Sequence, residues 1–321
     1  MASITKHGTG WRAQVYRAGT RKSKTFTTKR AAQDWATRTE YELDNREEVA
    51  AKKNVGDLLE RYALEVSPGK RGERWEVIRL RKLKGYPLAR VRLGDLSARD
   101  IAEFRDLRMT EVSAGSVLRE MNLLGSVFTI ARKEWKMLGR SPMEDVSKPA
   151  RPKPRTRLPT DAEFERLEHV AGTDLSNATA RAFHAFKFGC ETAMRAGEIV
   201  GLTLENVDLT RRVCHLPMTK NGSARDVPLS RAAVALLEAL PPHDPVFNLT
   251  TRQIDVLWRK VRDKAAIEGL TFHDSRAYAL TKLSRKVDVM DLAKISGHRD
   301  LSILLNTYYR EGAESIARRL D

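Results

Sequence analysis

The sequence predicts a multidomain protein, mainly α with a small β component. It begins with an N-terminal three-stranded sheet plus helix, continues into a helical domain and ends in a mixed α+β domain. Three observations predict this. Apolar and polar residues alternate near the start, as in Trp11-Arg12-Ala13-Gln14-Val15-Tyr16. Apolar residues then recur every three or four positions between about 54 and 135, the helical period. Beyond a run of four prolines and five basic residues at 148–159, helix patterns are interrupted by short strand-like runs with an Asn221-Gly222 turn. The boundaries read as 1–50, 54–148, a linker at 149–159, and 160–321.

The first fifty residues form a small basic unit. Residues 11–16 and 21–26 read as strands joined by Ala18-Gly19-Thr20. Ser3-Ile4 begins a third strand, with Gly8-Thr9-Gly10 as its turn, and Thr28 starts a helix running through Ala36. A sheet carrying Arg12, Arg17, Arg21, Lys22 and Lys24 suits a DNA groove.

In 54–148, Asn54 is placed to cap a helix through Val55, Leu58, Leu59, Tyr62 and Leu64. The run from Lys70 to Arg92 is densely basic. It includes Lys70, Arg71, Arg74, Arg81, Lys82 and Lys84, interleaved with Trp75, Ile78, Leu80, Leu83 and Tyr86. That mixture suits a helix that packs on one side and meets phosphates on the other. Ser97 caps a helix over 98–108 with Ile101, Phe104 and Leu107 on one face. Residues 116–135 give a long helix with Val117, Leu118, Met121, Leu124, Val127, Phe128 and Ala131 inward. In the linker, proline denies helix and sheet pairing, so Arg151, Lys153 and Arg155 would run extended along a DNA backbone.

Thr160 caps a helix through Leu167, and residues 177–191 form another. Met194 reads as buried. Arg195 precedes Gly197 at a break, pushed toward a partner, with Glu198 placed to orient it. Residues 204–209, 212–216 and 225–228 read as strands, with Lys220 just before the Asn-Gly tip. Helices over 230–240 and 250–267 lead to Thr271-Phe272-His273-Asp274-Ser275-Arg276, then Ser296-Gly297-His298, then Asn306-Thr307-Tyr308-Tyr309-Arg310. Asp274 or Ser275 serves the first turn of a helix that begins there. Two imidazoles, guanidinium groups and a tyrosine suit phosphoryl transfer without a metal. The tyrosine would be the nucleophile, the guanidiniums the phosphate clamp, and the imidazoles the proton carriers.

Composition bounds the partners. The 321 residues carry 58 Lys and Arg against 42 Asp and Glu, a net +16, which points to a polyanion: nucleic acid first, a membrane surface second. Two cysteines, Cys190 and Cys214, give no disulfide framework and read as buried and reduced. No apolar run approaches a membrane span, and the N-terminus lacks a signal-peptide core. A cytosolic compartment fits, with no membrane partner, no cofactor and no metal.

The order Thr192-Ala-Met-Arg195-Ala-Gly-Glu198, Lys220 on a hairpin, His273-Asp-Ser-Arg276, Gly297-His298 and Tyr308 resembles the tyrosine recombinase (phage integrase) family. The resemblance covers about residue 157 to the end. The helical domain resembles the family's core-binding domain, and the N-terminal unit resembles its arm-binding domain. It implies a catalytic set of Arg195, Lys220, His273, Arg276, His298 and Tyr308. Tyr308 would attack the scissile phosphate and hold a 3′-phosphotyrosine. Arg195 and Arg276 would clamp the non-bridging oxygens, and Lys220 would protonate the departing 5′-oxygen. His273 would help take the tyrosine proton, and His298 would hydrogen-bond the phosphate. It implies double-stranded DNA with core and arm-type sites as partner, an excisionase and a DNA-bending protein as accessories, and a homo-tetramer on DNA. A last helix with Ile316, Ala317 and Leu320 would dock on the neighbouring protomer.

Two departures stand out. The family commonly places the tyrosine nine residues after the Gly-His histidine, whereas Tyr308 is ten away and Tyr309 eleven. Tyr308 fits the usual Tyr-x-His/Arg ending, and Tyr309 is the second choice. The common Leu-Gly-His is Ser296-Gly297-His298 here. Beside integration and excision of a phage or other mobile element stand two other readings: a topoisomerase-like nicking and resealing enzyme, and a catalytically silent DNA-binding regulator of the same ancestry.

Overall fold

The computed structural model describes residues 2–17, 20–152, 157–217 and 224–309, with side chains except those of 20 and 41–51. It divides into two compact units, Met1–Lys153 and Pro154–Asp321.

The first unit opens with antiparallel strands β1 (Ser3–His7), β2 (Gly10–Arg17) and β3 (Thr20–Phe26), in that spatial order, followed by α1 (Lys29–Lys52). Thr28 Oγ1 accepts the Ala31 N–H at 3.2 Å and starts the helix, which continues well past Ala36. Ala13 and Val15 are fully buried and pack with Ala32, Ala36 and Trp35. The register decides where the basic residues go. Ala13 pairs with Lys24, Val15 with Lys22 and Tyr16 with Arg21, and directly opposed residues share a face. Lys22, Lys24 and Arg17 therefore lie on the side that meets α1. Arg12 and Arg21 lie on the open side with Gln14, Ser23, Thr25 and Tyr16, the last 64% exposed. The five basic residues expected on one DNA-facing surface are divided between two. Of the expected turn between β2 and β3, Ala18 and Gly19 lie outside the described residues.

The helical part comprises α2 (Val55–Glu65), α3 (Glu73–Leu83), a 3-10 turn at Pro87–Arg90, α4 (Ala98–Glu111) and α5 (Ala114–Lys133). Asn54 and Asp57 form a reciprocal cap on α2, and Ser97 with Asp100 does the same for α4, as the sequence predicts. The Lys70–Arg92 run is not one helix, because turns closed by Ser67 and Lys82 carbonyls break it at either end. Four apolar assignments fail. Leu64 is 71% exposed because it follows Tyr62 by two residues, which turns it away from the buried stripe. Trp75 and Ile78 face outward on α3 while Leu80 and Leu83 go in. Leu107 is exposed because Arg108 takes the inward place, completing the i, i+3, i+7 series from Ile101 and Phe104.

The second unit is built around α7 (Ala178–Thr192), preceded by α6 (Asp161–Ala171) and followed by α8 (Ala196–Val200). A small antiparallel sheet follows, with β4 (Val207–Asp208), β5 (Val213–Leu216) and β6 (Arg225–Pro228) in that order. The remaining helices are α9 (Arg231–Glu238), α10 (Thr251–Lys264), α11 (Asp274–Leu283), α12 (Val289–Ser296) and α13 (Leu301–Thr307). β4 is shorter than predicted: Leu204–Asn206 forms a 3-10 turn in which Asn206 bonds back to Thr203 through backbone and side chain, competing with the ladder. Aromatic rings fill the core beside α7, with Phe186 stacked on Trp258 at 4.1 Å between centroids and Phe272 edge-on to both. Cys190 and Cys214 are buried, which pushes both thiols up, Cys214 to about 12. No described helix is long and apolar enough to cross a membrane. The expected last helix with Ile316, Ala317 and Leu320 lies outside the described residues.

Candidate active site

The site begins where α7 ends. Ala193 takes a left-handed conformation, φ 55°, and caps the helix. The chain then buries Met194 and delivers Arg195 as the N-cap of α8. Glu198, one turn on, accepts the Arg195 backbone N–H and its Nη1, each at 2.8 Å. This is the orienting role the sequence suggests for Glu198. The same carboxylate accepts Arg225 Nη1 at 2.9 Å and Nη2 at 2.7 Å. Burial works to raise the Glu198 pKa, but hydrogen bonds from Arg225 and Arg195 outweigh it and hold the carboxyl at about 2. Arg225 Nε donates to the Ile295 carbonyl at 2.9 Å. One side chain thereby ties β6 to α8 and to the end of α12.

Arg276 sits in the first turn of α11. Asp274 accepts the Thr271 N–H at 2.7 Å and its hydroxyl at 2.9 Å, closing the turn that starts the helix. α11 approaches α7 closely because Gly189 has no side chain: a Cβ there would lie 2.6 Å from Ser275 Oγ. The approach carries Arg276 into the interior, 3% exposed, where its Nη1 donates to the Ala193 carbonyl and its Nη2 to the Ser296 carbonyl at 2.7 Å. Both acceptors are neutral. Burial, then the positive charge of Arg195, lowers the Arg276 pKa to about 10, so it stays charged at neutral pH.

His298 follows the turn at Gly297, which has φ 70° and a backbone so near Arg225 that a Cβ would meet Nη1 at 3.2 Å. His298 Nδ1 lies 2.7 Å from Ser296 Oγ. Burial, followed by the charges of Arg276, Arg195, Arg225 and His273, lowers its pKa to about 4. His273 itself is the N-cap of α11, and its carbonyl accepts the Arg276 N–H.

The two tyrosines differ. Tyr308 caps α13, and burial raises its pKa while the Arg276 charge works to lower it. The Tyr309 hydroxyl donates to the Val287 carbonyl at 2.6 Å. Burial and then the charges of Asp288 and Asp291 raise its pKa.

Of the expected catalytic residues, the fold gathers Arg195, His273, Arg276, His298 and Tyr308 at the junction of α7, α8, α11, α12 and α13. Lys220 lies outside the described residues. Sequence reading missed Arg225 and Ser296. A signal for Arg225 existed: it is two residues before buried Val227 on a strand, hence on the inward side. Among the expected DNA contacts, Lys70 is bonded to Glu76 and Tyr62, Lys84 to Glu60, and Lys24 lies over the Phe26 ring. Arg71, Arg74, Arg81, Lys82 and Arg151 are exposed; Lys153 and Arg155 lie outside the described residues. Among the described residues, no group of three or more His, Cys, Asp or Glu is placed to hold a metal ion.

Comparison with known proteins follows the same outline. Residues 159–314 match the model of the phage integrase family. An integrase/recombinase of Haemophilus influenzae is 41% identical over 96% of this chain and 87% of its own length. The shufflon-specific DNA recombinase of Escherichia coli is 36% identical over 84% of this chain and 72% of its own. In fold, the chain is similar to lambda integrase in a dimer bound to a COC′ core site, with TM-score 0.67 at 16% identity, covering 97% of this chain and 96% of that one. A lambda integrase tetramer bound to a Holliday junction gives TM-score 0.64 at 15% identity, over 95% of each chain.

Proposed function

The chain belongs to the phage integrase family of tyrosine recombinases, and from that premise we propose that it integrates and excises a mobile element through a 3′-phosphotyrosine on Tyr308. It is a tyrosine-type site-specific DNA recombinase. In this reading Tyr308 attacks the scissile phosphorus, forming the tyrosyl ester as the bond to the 5′-oxygen breaks. Arg195 and Arg276 bind the non-bridging oxygens, where charge grows in the transition state. His273 receives the tyrosine proton, His298 contacts the phosphate, and Lys220 protonates the leaving 5′-oxygen. The freed 5′-hydroxyl of a second duplex reverses the step and completes exchange.

The observation that carries the choice of nucleophile is the contrast between the two tyrosines. Arg276 favours the phenolate of Tyr308, whereas Tyr309 has committed its proton to Val287 and lies beside two carboxylates. The remaining assignments rest on the family resemblance. Residues 1–50 bind arm-type sites, 54–148 and the 149–159 linker hold the core site, and 160–321 carry the chemistry. The protein acts on double-stranded DNA in the cytoplasm of a bacterial host, as a cyclic tetramer, with an excisionase and a DNA-bending protein setting direction. Similarity to the lambda integrase assemblies supports the tetramer and the N-terminal assignment.

The test is a nicked suicide substrate carrying the core site, incubated with wild type, Tyr308→Phe and Tyr309→Phe. A covalent protein–DNA band lost only in Tyr308→Phe is expected. Loss only in Tyr309→Phe moves the nucleophile by one residue. No band from wild type on a site it binds removes the catalytic reading. The likeness to the shufflon-specific recombinase favours a second reading, recombination dedicated to one resident target; products from two sites on one molecule, with none between molecules, would select it.

A further inference from the structure

We propose that Ser296 is a positioning residue that fixes His298 as its Nδ1–H tautomer, so that the ring meets the scissile phosphate with a bare Nε2 and donates to it only after taking up a proton. The proposal rests on the catalytic reading above for the identity of the phosphate, but not for the tautomer.

The argument is one of counting protons. Ser296 is fully buried at the last position of α12. Its Oγ lies 2.6 Å from the Leu292 carbonyl oxygen and 2.7 Å from His298 Nδ1. A carbonyl has only lone pairs, and a hydroxyl has one proton. Two oxygens at 2.6 Å with no proton between them would oppose lone pair to lone pair, so the hydroxyl proton lies toward Leu292. Only lone pairs of Oγ remain for the ring, and Nδ1 must be the donor. A neutral imidazole carries one N–H, which leaves Nε2 unprotonated.

The surroundings keep the ring neutral until an anion arrives. The charged and titratable groups that face it are Arg276 and His273 from α11, Arg195 from the start of α8 and Arg225 from β6. Ser296 also gives its carbonyl to Arg276 Nη2 at 2.7 Å. One buried serine thus holds two phosphate-facing groups, the guanidinium by its carbonyl and the imidazole by its hydroxyl. A leucine at this position, the residue common in this motif, offers the ring no acceptor. A phosphodiester placed among these cations brings a negative charge that favours the doubly protonated ring. A proton then comes from solvent to Nε2, and the new N–H donates to a phosphate oxygen while Nδ1–H stays on Ser296.

Long-range proton–nitrogen correlation spectra of the His298 ring in DNA-free full-length protein at neutral pH read the tautomer directly. The expected result is Nδ1–H in wild type and in Ser296→Thr, and a shift to Nε2–H in Ser296→Ala. The coupled readout is the pH dependence of covalent complex formation on the suicide substrate. Above the ring's pKa in the complex, the wild-type rate carries a component that falls about tenfold per pH unit. Ser296→Ala loses that component, because its neutral ring can donate from Nε2, and Ser296→Thr keeps it. A merely structural role would lower the rate without changing its slope. Nε2–H in the wild-type spectrum, or an unchanged slope in a folded Ser296→Ala, overturns the proposal. If Ser296→Ala does not fold, the wild-type spectrum alone decides. Absence of any covalent band from wild type removes the catalytic reading and leaves the tautomer result standing.

Discussion

Arg108 and Arg276 are both buried, 1% and 3% exposed, yet their surroundings are opposites. Arg108 lies in the first unit, between α4 and α5. It gives Nε and Nη2 to the two oxygens of Glu120 at 2.8 Å each and Nη1 to Glu111, and it stands 4.9 Å over the Tyr86 ring, whose hydroxyl bonds the same Glu111. The hydrogen bonds it donates to Glu120 push its pKa up despite burial. Arg276 has two carbonyls and no carboxylate. Its pKa goes down, first through burial and then through the charges of Arg195 and Arg225 against a single Glu198, which both of them already share. A buried cation with two anions is a finished structural lock. Three guanidiniums around one carboxylate leave an excess of positive charge, which suits the phosphate of the proposed reaction.

The largest effect should come from breaking the finished lock. Arg108→Met leaves Glu120 buried and unpaired and should cost about 3–5 kcal/mol of stability, whereas Arg108→Met with Glu120→Leu should recover most of that. Urea unfolding of the three proteins measures it; a single variant as stable as the double one would mean the pair is not the lock it looks like. Next comes Arg276→Gln. Covalent complex formation should fall roughly 10²–10³-fold, the cost of losing one donor to a developing oxyanion, while the fold stays intact, because removing a buried positive charge beside Arg195 and Arg225 offsets the lost hydrogen bonds to the Ala193 and Ser296 carbonyls. Loss of folding in Arg276→Gln comparable to that in Arg108→Met would erase the distinction between the two arginines.

How much of this was legible in the sequence depended on how far apart the partners lie. The caps at Asn54, Ser97 and Thr160 could be read because each bonds a backbone N–H or carboxylate three residues away. The order Arg195, His273-x-x-Arg276, Gly297-His298, Tyr308 could be read because it resembles the family's motif order, with the boxes in register rather than any one of them. Arg225 was missed because its partners, Glu198 and Ile295, are 27 and 70 positions distant. The five basic residues of the N-terminal sheet do not share one surface, because alternation along β2 separates Arg12 from Arg17 and along β3 Arg21 from Lys22, and the register then decides which set meets α1. Ser296 looked like a harmless departure from leucine. Its hydroxyl matters only once the chain has folded His298 back onto it, and no period or propensity reports that.

The pH dependence sharpens the comparison further. His298 has its folded pKa lowered from 6.5 to about 4, so between these values the unfolded chain binds more protons than the folded one. Stability should therefore fall as pH drops from about 6.5 toward 4. Glu198, held at about 2, contributes stability above about 4.5 that is lost as pH falls toward 2. Thermal unfolding of wild type and His298→Asn across this range should show a flatter upper limb in the variant and the same lower limb in both. Equal upper limbs would mean that the cations do not act on the ring as the geometry implies.

The smallest effect concerns the anion itself. If the cluster around Arg276 lacks one negative charge, inorganic phosphate should bind there and stabilise the protein by about 1.4 kcal/mol at ten times its Kd, a rise of a few degrees in Tm at most. Arg276→Gln should lose this increment and the Arg108→Met/Glu120→Leu variant should keep it. Sulfate at matched ionic strength should behave as phosphate does, and chloride should not, since a tetrahedral oxyanion presents several acceptors to forked donors. An increment that survives Arg276→Gln would place the anion elsewhere on a surface of net charge +16. In that case the low pKa of Arg276 would reflect burial and its cationic neighbours without an anion site, because both lower a cation's pKa whether or not any ligand binds.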